Sequence, residues 1–237
     1  MKIQLLTIAL LSFAAFATAQ TPTAPEILTK SIQYHDPQGN WGKQMLVLNV
    51  EESRPKGTPR MANLEIDLRN DGFKMTQQRG EDKIERMIKS GECSFLINGS
   101  ANIPADTMQK MGLTCERTLS TRNYYTYLWG LPMKLKDPGM ILNDSVQTVD
   151  FFGKQAHQIK VTYDEKVGND VWFFYFNPEN YALIGYKFHH DEAKKDGEYI
   201  TLEGEEMVNG MKLPKVRKWY WNQSKEFIGT DLLVSGK

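Results

Sequence analysis

Two of the chain's four histidines stand side by side in YKFHHDEAKKDGEY, Tyr186 to Tyr199, where His189 and His190 are followed at once by Asp191 and Glu192. A third, His35, sits beside Asp36 in YHDP. Imidazole and carboxylate at this density form a donor set that zinc accepts, and equally a general base with its orienting partner. The spacing works against a compact centre. Ile184, Tyr186 and Phe188 alternate with Gly185 and Lys187, which is strand periodicity, so His189 and His190 end a strand pointing to opposite faces. Neighbours on a strand cannot share one ion without a bulge. The following DEAKKD has the composition of a charged hairpin loop. A metal or hydrolytic centre therefore requires His35 or Asp36 to meet His189 or His190 through the fold. There is no HExxH helix, no Gly-x-Ser-x-Gly elbow and no phosphate-cradling glycine loop, so the motifs call for no cofactor.

Binding chemistry is better represented. VWFFYF, Val171 to Phe176, sets Val171, Phe173 and Tyr175 on one face of a strand and Trp172, Phe174 and Phe176 on the other. A strand apolar on both sides has to be covered on both sides. RNYYTYLWG carries Tyr124, Tyr127 and Leu128 at helical spacing, and the next segment adds Leu131, Met133 and Leu135. Tyrosine at the mouth of an apolar space supplies a polar rim for a ligand head group. The candidate lining set is thus Tyr124, Tyr127, Leu128, Leu131, Met133, Trp172, Phe174 and Phe176. The same residues would also serve as packed core.

The elements that must place them are mostly strands. Thr23 with Glu26 three residues on forms a capping box, Pro25 suits a first turn, and Leu28, Ile32 and His35 recur at helical spacing until Pro37 and Gly39. After Trp41 the period changes to two. Alternation over about 43–51, 60–68, 73–79, 82–89 and 92–97 predicts a meander with one face in water. Helices are expected at Pro104 to Met111 and Ser120 to Trp129, the second ended by Gly130. Strands resume at about 145–152, 155–163, 170–177, 182–190, 197–208, 211–221 and 226–234, with hairpin signals at FGK, NPEN and NG. The fold class is mainly β, an antiparallel sheet with a few helices, and no βαβ alternation is present.

MKIQLLTIALLSFAAFATA has one early Lys, an apolar run from Ile3 to Phe16, and a small-x-small ending before Gln20. That is the pattern of a secretory signal peptide, residues 1–19, cleaved after Ala19. The run is too short for a spanning helix, and no Cys follows it to take a lipid. Residues 20–237 are read as one exported domain, periplasmic or secreted. Losing the leader removes Lys2 alone among charged residues, so the balance of 29 basic and 29 acidic side chains hardly shifts. Neutrality argues against nucleic acid as a partner. Cys93 and Cys115, the only cysteines, predict a disulfide in an oxidising compartment.

Three stretches carry a resemblance: YHDPQGNW, LTCERTLSTRNYYTYLWGLPMKLKDPG, and the segment from VTYDEKVGNDVWFFYF to KWYWN. They resemble a family of exported Gram-negative bacterial proteins built on a domain of unknown function. The order of elements, with GKQAHQIKVTYD as a strand after a turn, also resembles the outer-membrane lipoprotein carriers with their LolA-like half-barrel. That likeness implies a curved, incompletely closed sheet of 11 to 12 strands holding acyl chains beneath helical lids. The function expected is capture of a lipid or acyl-chain ligand without covalent chemistry. Two alternatives stand beside it: an exported metal-dependent hydrolase using His35, Asp36, His189 or His190, and a protein-interaction module presenting the aromatic strand.

Overall fold

The computed structural model describes residues 22–237; the signal peptide expected at residues 1–19 lies outside them. The first helix, α1 (Ala24–His35), begins as its capping box demands: Glu26 N–H donates to Thr23 Oγ1 and Thr23 N–H donates back to Glu26 Oε2 at 2.8 Å. Ala24, Ile27, Leu28 and Ser31 form its buried face.

Twelve strands follow: β1 (Leu46–Ser53), β2 (Arg60–Asp67), β3 (Gly72–Arg79), β4 (Asp82–Lys89), β5 (Glu92–Ile97), β6 (Met140–Phe151), β7 (Lys154–Tyr163), β8 (Val171–Phe176), β9 (Leu183–His189), β10 (Glu198–Val208), β11 (Met211–Trp221) and β12 (Phe227–Gly236). They form a single antiparallel sheet in the order β5-β4-β3-β2-β1-β12-β11-β10-β9-β8-β7-β6. Two meanders are therefore joined at the centre by the pairing of the first strand with the last. That seam extends beyond the strands, with Val47 and Lys237 exchanging backbone hydrogen bonds at 2.8 and 3.0 Å.

Alternation decides which side becomes core. Along β1 and β2 every second residue is buried: Leu46, Leu48 and Val50, then Ala62, Leu64 and Ile66. The register continues the row through Phe73 and Met75 on one side and Leu233, Ile200, Tyr186 and Phe174 on the other. These inward residues make one apolar cluster on the concave side of the open, curved sheet. The outward face of β6, β8 and β9 has a small cluster of its own, in which Phe151 stacks on Tyr175 with ring centroids 4.0 Å apart.

The two free edges, β5 and β6, are consecutive in the chain, and the connection between them carries the remaining helices. It comprises α2 (Ala105–Met111), α3 (Cys115–Gly130) and a short 3-10 turn at Met133–Lys136. The second helix starts five residues earlier than its tyrosine spacing suggested, because Thr114 caps it by accepting the Arg117 N–H at 3.2 Å. Gly130 is its last turn rather than a left-handed cap. A side chain at Gly130 would collide with the Trp41 ring, so the residue is there for close packing. Strand β6 also begins early, since a bulge between Leu142 and Val146 interrupts the alternation.

Cys93 on β5 is bonded to Cys115, the first residue of α3, with Cα atoms 5.4 Å apart and a separation of 22 positions in sequence. Closing a loop of that size removes unfolded-state entropy worth about 3 kcal/mol. Urea unfolding of a Cys93→Ser, Cys115→Ser variant should show a loss of about that size, and an unchanged midpoint would contradict a structural role for the bond.

Candidate binding cavity beneath the crossing helix

The histidines do not converge. His35 is buried at the end of α1, where its Nδ1 lies 2.7 Å from the Lys212 carbonyl and its Nε2 accepts the Leu183 N–H at 2.9 Å. Both ring nitrogens are thus occupied by backbone, which fixes a neutral tautomer with the proton on Nδ1. Asp36 accepts the N–H groups of Asn40 and Trp41 at 2.7 and 2.8 Å, closing the turn after the helix. Leu183 opens β9 and His189 ends it, so the two imidazoles sit at opposite ends of a strand about 20 Å long. His189 is buried on the outward face with Nδ1 2.7 Å from the Asp196 carbonyl. His190 is exposed on the other face and paired with Asp170 at 2.8 Å. Among the described residues no group of three His, Cys, Asp or Glu side chains is placed to hold a metal ion. The physical reason is the strand alternation together with α1 docking at the far end of the sheet.

The candidate binding residues divide into two groups. Tyr124, Tyr127, Leu128 and Trp172 line a cavity of about 620 Å³ between α3 and the inward face of β8 to β12. Leu131, Met133, Phe174 and Phe176 lie beneath or beside it in the packed core, with Phe174 and Phe176 at 0 % exposure. Tyr186, Phe188, Trp219 and Ile228 complete the apolar wall. None of these four stood out in the sequence, although Tyr186 and Phe188 share the alternation of the strand that pairs with Trp172.

The wall is aromatic and ordered by its own contacts. Trp172 has the Phe188 ring at 4.8 Å, the Tyr127 ring at 5.2 Å and the Tyr186 ring at 6.2 Å. Tyr124 stacks on Trp219 at 6.5 Å. Tyr124 is 44 % accessible, but that surface faces the concave space, and burial of its hydroxyl pushes the phenol up. Tyr127 is also pushed well above the usual phenol range, by burial first and by Tyr163, whose hydroxyl is 2.9 Å away. Both phenols are neutral donors at any physiological pH.

At the mouth the wall turns polar. Arg54, Asp170, His190 and Glu198 ring the opening, and burial raises the Glu198 carboxyl. Beneath them runs a belt of buried charge across the sheet seam. Glu52 accepts from the Tyr125 hydroxyl and from Arg60, while Asp231, its cross-strand partner, accepts the Trp219 Nε1–H at 2.7 Å and Arg54 at 3.2 Å. Burial lifts the Asp231 carboxyl. Arg217, 1 % exposed, lies 3.7 Å from the Trp129 ring and donates to the Leu128 carbonyl at 2.8 Å, where the negative end of α3 favours a cation. The Tyr186 hydroxyl and the Arg217 Nε and Nη1 atoms are buried without protein partners.

The open, curved twelve-stranded sheet with a few helices is a LolA-like fold. Residues 2–236 match the model of a family of unknown function, DUF6503, and the chain belongs to that family. No curated protein matches it. Among solved structures it is similar to a LolA superfamily protein from Nitrosomonas europaea, at TM-score 0.53 and 12 % identity over 92 % of this chain and 94 % of the other. It is similar at the same TM-score, and at 8 % identity, to a DUF1329 family protein from Desulfovibrio piger, over 92 % and 93 %. An outer membrane lipoprotein-sorting protein domain from Vibrio parahaemolyticus gives 0.48 and 10 % identity over 90 % of each chain.

Burial holds the His35 pKa below its usual value. As pH falls, the unfolded chain takes up the proton first, so the contribution of His35 is complete above about pH 6.5 and declines below it. Urea midpoints taken between about pH 7.5 and about pH 5.5 should fall further for the native protein than for His35→Gln. Parallel curves would contradict the neutral, doubly bonded imidazole.

Proposed function

We propose that this protein is an exported carrier that holds a hydrophobic ligand of the lipid or acyl-chain class in the cavity beneath α3. The observation that carries the reading is the cavity itself, about 620 Å³ with a wall of two tryptophans, three tyrosines, Phe188, Leu128 and Ile228. That volume falls in the ordinary range of ligand sites, and the wall is apolar with a few convergent polar groups at the rim. Burying about ten methylenes in such a space supplies roughly 8 kcal/mol before binding costs. The likeness to a LolA superfamily protein supports the reading at the level of fold only.

Loading involves the eight residues singled out above at two depths. Tyr124, Tyr127, Leu128 and Trp172 meet the ligand directly, while Leu131, Met133, Phe174 and Phe176 form the floor that a deeper chain reaches when α3 shifts. The Tyr127 to Tyr163 hydroxyl pair bridges α3 to β7 and acts as a latch. The leader, cleaved after Ala19, delivers residues 20–237 as one domain to the periplasm, where the neutral surface and the disulfide are suited to a soluble carrier.

Trp172→Ala removes the ring against which Tyr127, Tyr186 and Phe188 pack, and should weaken capture of a fluorescent fatty-acyl probe at least tenfold. Tyr127→Phe, which deletes only the latch hydroxyl, should speed probe release while leaving the unfolding free energy within about 1 kcal/mol of native. Unchanged probe affinity in Trp172→Ala would count against the cavity. Intact-mass measurement of protein recovered from the periplasmic fraction should give a chain beginning at Gln20; a mass that includes residues 1–19 would contradict cleavage.

A further inference from the structure

A second space opens on the other side of α3, toward β2, β3 and β4. It has a volume of about 370 Å³ and is lined by Arg60, Gln77, Arg79, Arg86, Arg117 and both Tyr124 and Tyr125, with Met75, Ser120 and Thr121. Four guanidinium groups and no carboxylate line it. Arg60 is neutralised from outside by Glu52. Among the described residues, Arg79, Arg86 and Arg117 are not ion-paired to any carboxylate.

Arg86 makes this a built site and not a chance gathering of surface arginines. It is 4 % exposed, its Nη1 donates to the Gly112 carbonyl at 3.0 Å, and its Nη2 donates to the Met111 carbonyl at 3.2 Å. Buried cations are ordinarily paired. This one is held by two carbonyls at the negative end of α2, which orient the fork and favour its charge without supplying a counter-ion. Arg117 packs against Gly112, so one short turn positions two of the three cations. Burial and the fields of Arg79 and Arg117 both push the Arg86 guanidinium down, the direction expected of cations that lack a counter-ion. The fork of a guanidinium matches an oxyanion in two-point fashion, and three of them match a group carrying more than one negative charge.

Tyr124 lines this space and the aromatic cavity alike. The two are therefore neighbours across one side chain, the first cationic and the second apolar. We propose that Arg79, Arg86 and Arg117 form an anion subsite that takes the phosphate head group of an amphiphile whose chain lies past Tyr124 in the aromatic cavity. The assignment rests on the carrier reading above, and it narrows the ligand from any acyl chain to a phosphorylated one.

The test uses protein purified after expression of the full chain and three probes of matched chemistry: a lysophosphatidic acid, the uncharged monoacylglycerol of the same chain length, and glycerol phosphate alone. Calorimetric titration of the native protein should show the lysophosphatidic acid binding at least tenfold more tightly than the monoacylglycerol. Arg79→Gln combined with Arg117→Gln, both at exposed positions, should abolish that preference and leave monoacylglycerol binding unchanged. Equal affinities in the native protein would overturn the anion subsite while leaving the cavity standing. Binding of glycerol phosphate, lost in the arginine variant, without binding of either acyl probe would show a free phosphate ester as the ligand and overturn the amphiphile along with the carrier reading. A preference that survives the arginine substitutions would place the anion elsewhere and overturn the assignment.

Discussion

The structure depends on one topological constraint: a chain that finishes its first meander at one free edge of a wide sheet has to begin the second at the opposite free edge. The sheet curls because a twelve-stranded twisted ribbon cannot remain flat. The shortest return path then runs across the concave side. Sixteen residues of helix cover about 24 Å of that distance, and they bring their own side chains to the one surface that would otherwise be exposed apolar sheet. Cavity, core and crossing helix are thus consequences of one connection. The helix is held at its start by Cys93 and at its end by Arg217.

What crosses the concave side is not uniformly apolar, and the difference has an electrostatic cause. The seam between β1 and β12 places Glu52 directly opposite Asp231, two carboxylates sharing a buried position. Such a pair is tolerable only when donors surround it. Arg54, Arg60, the Tyr125 hydroxyl and the Trp219 indole provide them. The belt divides the concave side in two, with the aromatic space toward β8 to β12 and the arginine space toward β2 to β4. Arg60 is spent on Glu52, and among the described residues the other three guanidiniums of the arginine space, Arg79, Arg86 and Arg117, pair with no carboxylate.

Local patterns made most of the architecture legible. Thr23 and Glu26 announce α1, and the alternation in ANLEIDLR sets a strand and its buried face together, since period and burial are the same information in a sheet with one wet side. The bounds of β6 were less legible because a bulge at Asn143 to Ser145 breaks that period, and the start of α3 was obscured because its cap, Thr114, precedes a polar turn. The site divides in the same way. Trp172 and Tyr127 were legible, being large apolar groups where the local period demands a cover. Trp219, Tyr186 and the three arginines were not, because each is contributed by a different element and only the strand order brings them together. The separation of the histidine pair was legible for the same reason as the strands, since neighbours at the end of a strand point to opposite faces.

The seam also governs the order in which the molecule can be assembled. β1 is among the first strands to be made and β12 the last, yet they are neighbours at the middle of the sheet. Each meander can form from contacts close in sequence, whereas joining them has to wait for the final strand. Until then each half exposes an unpaired inner edge, a hazard for any chain that folds where others are crowded. The last strand therefore removes two hazards in a single pairing, since it covers the inner edge of each half at once.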